Sequence, residues 1–87
     1  MIFLVTLSSL ANAALGMQFR IASFVGLEAD ATAWLGAVGL HEGEELVVLR
    51  RAALGGPLHV RTASGGEFAI ARELASSIAC VPAPVVP

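Results

Sequence analysis

Arg50 and Arg51 stand side by side between two apolar runs, and Gly55-Gly56-Pro57 follows them a few residues on. Paired guanidinium groups ahead of a glycine-rich turn are residue types that can clamp a phosphate. The charge balance speaks against that use. Five Lys or Arg residues face seven Asp or Glu, for a net charge of −2, whereas a chain that binds nucleic acid by neutralising phosphates needs a basic surface. The glycine pair also lacks the Gly-x-x-x-x-Gly-Lys-Ser/Thr frame, and it joins two strand patterns with no helix N-terminus behind it.

The remaining reactive side chains are scattered. Cys80 is the single cysteine, so no internal disulfide can form. One cysteine cannot supply a structural zinc site, which takes four Cys or His ligands. His41 and His59 fall into no ligand spacing, and the adjacent His41 and Glu42, neighbours in a turn, do not converge on one ion. Glu44 and Glu45 are the only adjacent carboxylates; on a strand they point to opposite faces and cannot share a substrate. No nucleophile–base constellation is present. The expectation is a chain that is not an enzyme, carries no cofactor, holds no tight metal site, and contacts no nucleic acid.

The composition bounds the scaffold. The 87 residues suffice for one domain, with a core over about residues 6–81 and a frayed proline-rich tail at 82–87. A chain of this size buries only about 60–65% of its unfolded surface. Hydrophobic residues make up 56% and charged residues 14%, against roughly 25% charged in an average domain. Such a chain packs tightly, lies near a membrane, or leaves apolar surface for a partner. The start contains a short apolar run and Ala11-Asn12-Ala13, similar to a signal-peptidase site, but no Lys or Arg precedes Arg20 and Thr6, Ser8 and Ser9 interrupt the run. No stretch reaches the roughly 18 apolar residues of a membrane span. These features, with an unpaired cysteine, predict a cytoplasmic protein without direct membrane insertion.

Hydrophobic periodicity places the elements. Residues 17–24 alternate Phe19, Ile21 and Ser23 against Arg20, Ala22 and Phe24, which predicts a strand. Ala31, Trp34, Leu35 and Val38 mark one helical face, with Asp30 or Thr32 at its start. Gly39 follows its end, so that Leu40 folds back on it. Strands follow over 44–52, with Leu46 and Val48 on one face, and over 58–62, with Leu58, Val60 and Thr62 inward. The 53–57 stretch is a loop, and Ser64-Gly65-Gly66 a hairpin turn. A return strand spans 67–71, a helical turn 72–78, and a last strand 79–81, where Cys80 reads as a buried apolar residue. The fold class is mainly β. Five short strands and one real helix cannot cover the faces of an open sheet, so a small SH3-like barrel is expected, with the helix in the first half and the helical turn before the last strand.

The same positions resemble the FeoA family of bacterial ferrous-iron uptake. The resemblance runs through Leu35, Val38-Gly39-Leu40, Gly43, Ala52-Ala53-Leu54-Gly55-Gly56-Pro57, Gly66, Ala69-Ile70, and Ala75 with Ile78. Thr6 to Leu10 and Gly16 are similar to the family's opening. Val38 stands where the family has Met, Ala53 where it has Pro, and Ala71 where Arg is common; Trp34 replaces a frequently charged helix position. The resemblance implies an SH3-like accessory protein that acts by contact with the cytoplasmic part of FeoB, the GTP-binding iron transporter. The same module ends iron- and manganese-dependent repressors, so a stand-alone regulatory domain acting on such a repressor is the alternative, with a weak iron carrier as another. This chain has no room for the repressors' helix-turn-helix. Candidate partner-binding residues are Trp34, Arg50, Arg51, Leu54, Gly55, Gly56 and Pro57, with weak self-association as a further possibility.

Overall fold

The computed structural model of the chain describes residues 7–83. The apolar run at the start, and residues 84–87 of the expected tail at 82–87, fall outside them. Nine elements follow one another: β1 (Ser8–Ser9), a 3-10 turn (Leu10–Asn12), β2 (Gln18–Phe24), α1 (Ala29–Ala37), β3 (Glu45–Arg51), β4 (Leu58–Thr62), β5 (Glu67–Ile70), α2 (Arg72–Ala75) and β6 (Ile78–Pro82). The strands form a single antiparallel sheet in the order β1-β6-β2-β3-β4-β5. Five of them match the expected strands. The sixth, β1, lies outside the expected strands: Ser8 and Ser9 pair with Cys80 and Ala79. Two polar residues carry no alternation signal, so only the tertiary partner makes them a strand.

Strict alternation buries Leu58, Val60 and Thr62 on one side of β4. The same side of the sheet supplies Phe19, Ile21, Leu46, Val48, Ile70, Ile78 and Cys80, and Leu10, Leu35 and Leu40 complete the core. Bulges interrupt the alternation in β2 and β3. The register of β2 against β6 shifts between Ile21 and Ser23, and that of β3 against β4 between Val48 and Arg50. An unpaired residue bends its strand and increases the local twist, which curls the sheet. It also reverses which side later residues face. Phe24, expected on the outer face with Arg20, lies opposite the buried Ile78 and packs against the core.

Helix α1 has no side-chain cap; Asp30 only places a negative charge in its first turn. Thr32 donates its hydroxyl to the Glu28 carbonyl at 3.2 Å. At the other end Gly39 has φ 97° and Leu40 N–H donates to Leu35 O at 2.8 Å, so the chain folds back and buries Leu40 as the sequence predicts. Only Leu35 of the expected apolar face is fully buried; Trp34 is 61% exposed. The expected frayed tail also needs correction at its start. Pro82 pairs with Phe19 in β6, and the buried Ala83 donates its N–H to Gln18 O at 2.9 Å. Proline is tolerated there because β6 ends at that residue.

Among the described residues no helix is long and apolar enough to cross a membrane.

Cys80 is fully buried behind β1, with its thiol donating to Ser8 O at 3.4 Å. Burial pushes its pKa up, which keeps the unreactive protonated form at neutral pH. A disulfide-exchange reagent is therefore expected to modify the native protein about a hundredfold or more slowly than the denatured chain, measured by the rate of thiol release at pH 7.5.

Candidate functional site: an apolar groove beside a strained turn

The residues singled out in the sequence go to three places. Arg50 lies opposite His59, on the outer face of β3, and is exposed. Arg51 lies opposite the buried Leu58, because the bulge at Leu49 has reversed the alternation. From there its guanidinium reaches the 3-10 turn. Nε donates to Ala11 O at 2.9 Å, and a terminal nitrogen donates to Ala13 O. These carbonyls end a turn that no strand satisfies, so Arg51 does for them what a neighbouring strand would.

Leu54, Gly55, Gly56 and Pro57 lie in the hairpin loop between β3 and β4. Ala52 N–H donates to Pro57 O at 3.0 Å, and Gly56 N–H donates to Ala53 O at 3.2 Å. Inside that turn Leu54 and Gly55 have φ of 59° and 73°. Two successive positive φ values match the twist of a hairpin, but the first place is normally Asn, Asp or Gly. A leucine there costs on the order of 1–2 kcal/mol. The strain points Leu54 entirely into solvent. Gly56 has no alternative: a Cβ would stand 2.6 Å from the Ala52 Cβ and 3.2 Å from Ala53 O.

Trp34 lies elsewhere, on the wall of a groove of about 490 Å³ between α1, β5 and α2. Val38 and Leu40 line it from the α1 side, Phe68 and Ile70 from β5, and Leu74 from α2. Among the described residues Glu67 is its only charged lining residue. Its carboxylate accepts from His59 Nε2 at 2.9 Å. That hydrogen bond, with the positive charge of His59, Arg61 and Arg50, holds the Glu67 pKa below the usual carboxylate range. The groove and the loop adjoin: a Cβ on Gly55 would stand 3.9 Å from Cδ of Arg72, the residue after the groove-lining Ala71. Sequence reasoning missed Val38, Phe68 and Leu74 as groove residues. Each reads as core by its spacing, and nothing local says that β5 ends the sheet.

Several other polar groups make surface hydrogen bonds. Glu45 accepts from Arg20 at 2.9 Å and from Gln18 at 2.6 Å, while Glu44 accepts from Ser64 at 3.3 Å. His41 Nδ1 lies 3.0 Å from the Glu42 carbonyl. Among the described residues no three His, Cys, Asp or Glu side chains converge as metal ligands.

A curled antiparallel sheet of six strands with two helices defines a small SH3-like domain. The FeoA domain profile matches residues 8–82, and the chain belongs to the FeoA domain family, which is associated with ferrous iron transport. The FeoA protein of Chlorobium tepidum is 26% identical and superposes with a TM-score of 0.78 over 88% of this chain and 71% of its own. The Stenotrophomonas maltophilia FeoA, solved with zinc and described as a prokaryotic SH3 domain protein and a candidate ferrous iron transport activating factor, is also 26% identical. It has a TM-score of 0.68 over 84% of this chain and 88% of its own. A manganese-dependent transcriptional repressor shares the fold at 19% identity, with a TM-score of 0.80 over 88% of this chain but only 37% of its own. A search of curated proteins finds no match.

Two outcomes test the electrostatics. Arg51→Ala is expected to lower stability by about 1–2 kcal/mol, read by urea denaturation, and Arg51→Lys restores only part of it because an ammonium cannot reproduce the fork. Glu67, with its pKa lowered by folding, contributes stability that is present above its unfolded pKa and lost as pH falls through the folded one. Its carboxyl carbon is expected to titrate at lower pH in the native protein than in the denatured chain. His59→Gln moves the native midpoint up.

Proposed function

We propose that the chain is a non-enzymatic accessory protein of bacterial ferrous-iron uptake, working in the cytoplasm by contact with the cytoplasmic part of the FeoB transporter. The observation that carries this reading is the exposure of two large apolar side chains, Trp34 at 61% and Leu54 fully exposed, in a chain of the FeoA family. A small protein gains nothing in stability from a leucine at φ 59° whose side chain touches no core. Desolvating such residues against a partner is where a few side chains carry most of a binding energy. In this reading Trp34 and the loop of Leu54, Gly55, Gly56 and Pro57 form the contact. Arg50 supplies charge beside it, and Arg51 fixes the base of the strand that presents the loop.

The likeness to a manganese-dependent repressor favours a second reading, a stand-alone regulatory domain for such a repressor. The two are separated by which protein is retained. Immobilised chain is expected to capture the cytoplasmic part of FeoB and not the repressor. Trp34→Ala and Leu54→Gly should each weaken capture about 30-fold, the effect of losing an interface anchor worth about 2 kcal/mol. Neither should lower the melting temperature by more than about 4 °C, since both side chains are exposed and glycine relieves the strain at 54. Retention of the repressor alone, or capture unaffected by both variants, refutes the reading.

A further inference from the structure

The floor of the groove is a sheet edge. β5 stands last in the sheet, and among the described residues only β4 pairs with it. All four of its residues, with Ala71, line the groove. The ladder says which backbone groups are spare. Antiparallel pairs alternate between bonded and non-bonded. Thr62 N–H donates to Gly66 O, and in the register Val60↔Phe68 and Leu58↔Ile70 the bonded positions of β5 are therefore Phe68 and Ile70. The opposite phase holds on the other side of β4, where Ala63 N–H donates to Glu45 O. Glu67 and Ala69 then direct their N–H and C=O groups outward, along the groove. The carbonyl of Ala71 is taken by Ala75 N–H at 2.9 Å, which ends the free edge there.

We infer that the groove binds its protein partner by strand addition: an extended segment of the partner lies antiparallel on β5. This rests on the protein-contact reading above and names the segment's chemistry. Backbone hydrogen bonds to Glu67 and Ala69 hold it, as in other edge-adding complexes. Its residues opposite Phe68 and Ile70 share their face and enter the cleft walled by Trp34, Val38 and Leu74. They are apolar, because the walls they meet, Trp34, Val38 and Leu74, are almost entirely hydrocarbon. The residue opposite Glu67 sits beside the one carboxylate of the groove and is Lys or Arg. Read from its N-terminus the segment is apolar-x-apolar-basic. The molecule already carries this pattern on the inner edge of the same strand, where Leu58, Val60 and Arg61 lie opposite Ile70, Phe68 and Glu67.

The probe is the acetylated and amidated peptide Thr-Leu-Thr-Val-Arg-Thr, titrated into the isotope-labelled full chain. Saturable binding is expected, with amide hydrogen exchange at Glu67 and Ala69 slowed about tenfold or more and that of Phe68 unchanged. N-methylation of the peptide at its central Thr and its Arg removes the donors that face β5 and should weaken binding about tenfold or more. N-methylation at Leu and Val should not. Trp34→Ala is expected to weaken the unmodified peptide as well. No saturable binding, equal sensitivity to both N-methylation patterns, or exchange protection away from β5 overturns strand addition. So does protection of Glu67 and Ala69 that grows with protein concentration in the absence of peptide, which would assign the edge to a second copy, or that is already present at high dilution, which would assign it to the chain's own termini. The two readings fail separately. Peptide binding without capture of FeoB removes the transporter reading and leaves the edge site. Capture of FeoB undiminished by saturating peptide does the reverse.

Discussion

Two unpaired residues, Ala22 in β2 and Leu49 in β3, set the geometry on which the rest depends. Short strands in a chain this size cannot cover an open sheet, so the sheet must curl, and bulges are how antiparallel strands bend. Each bulge also exchanges inside for outside beyond it. In β2 it brings Phe24 to the core; in β3 it separates two adjacent arginines. Arg50 stays in solvent near Glu67, and Arg51 turns in to tie down the N-terminal 3-10 turn. A pair of cations that resembles a phosphate clamp in one dimension is, in three, two residues with unrelated tasks.

The parts of the fold legible in the sequence are those where local chemistry and tertiary context agree. β4 alternates without interruption, so Leu58, Val60 and Thr62 are inward on both grounds. Gly39 ends α1 because the left-handed turn there suits only a residue without a side chain. Where context overrides local pattern, the sequence is silent. Ser8 and Ser9 are a strand only because β6 lies beside them, and Pro82 continues β6 because it closes that strand. The helical face read from Ala31, Trp34, Leu35 and Val38 was right in its spacing and only partly right in its burial, because the groove leaves α1 standing off from β5.

The candidate site was legible in half. The glycine-proline loop announces itself by composition, and Leu54 within it was singled out, although its left-handed backbone is visible only in the fold. Trp34 is a partner-binding candidate in the sequence, but the groove it walls is visible only in the fold. Phe68 and Leu74 could not be picked out, since an apolar residue in a strand or short helix looks the same over a cleft as over a core. What distinguishes them is strand order, a global property. Phe68 carries a partial sign of it. Its ring lies where a Cβ on Gly66 would come within 2.8 Å, so a glycine two residues before it is required for the ring to take that place.

The pairing of Ser8 with Cys80 joins residues from opposite ends of the described chain. Synthesis delivers Ser8 72 residues ahead of Cys80, so the sheet cannot be completed until β6 has left the exit tunnel. Until then the core-facing side of β2 has only β3 beside it, and the long-range closure that ends the process is of the slow, entropically costly type. A nascent chain of this topology therefore stays partly open until β6 arrives between β1 and β2.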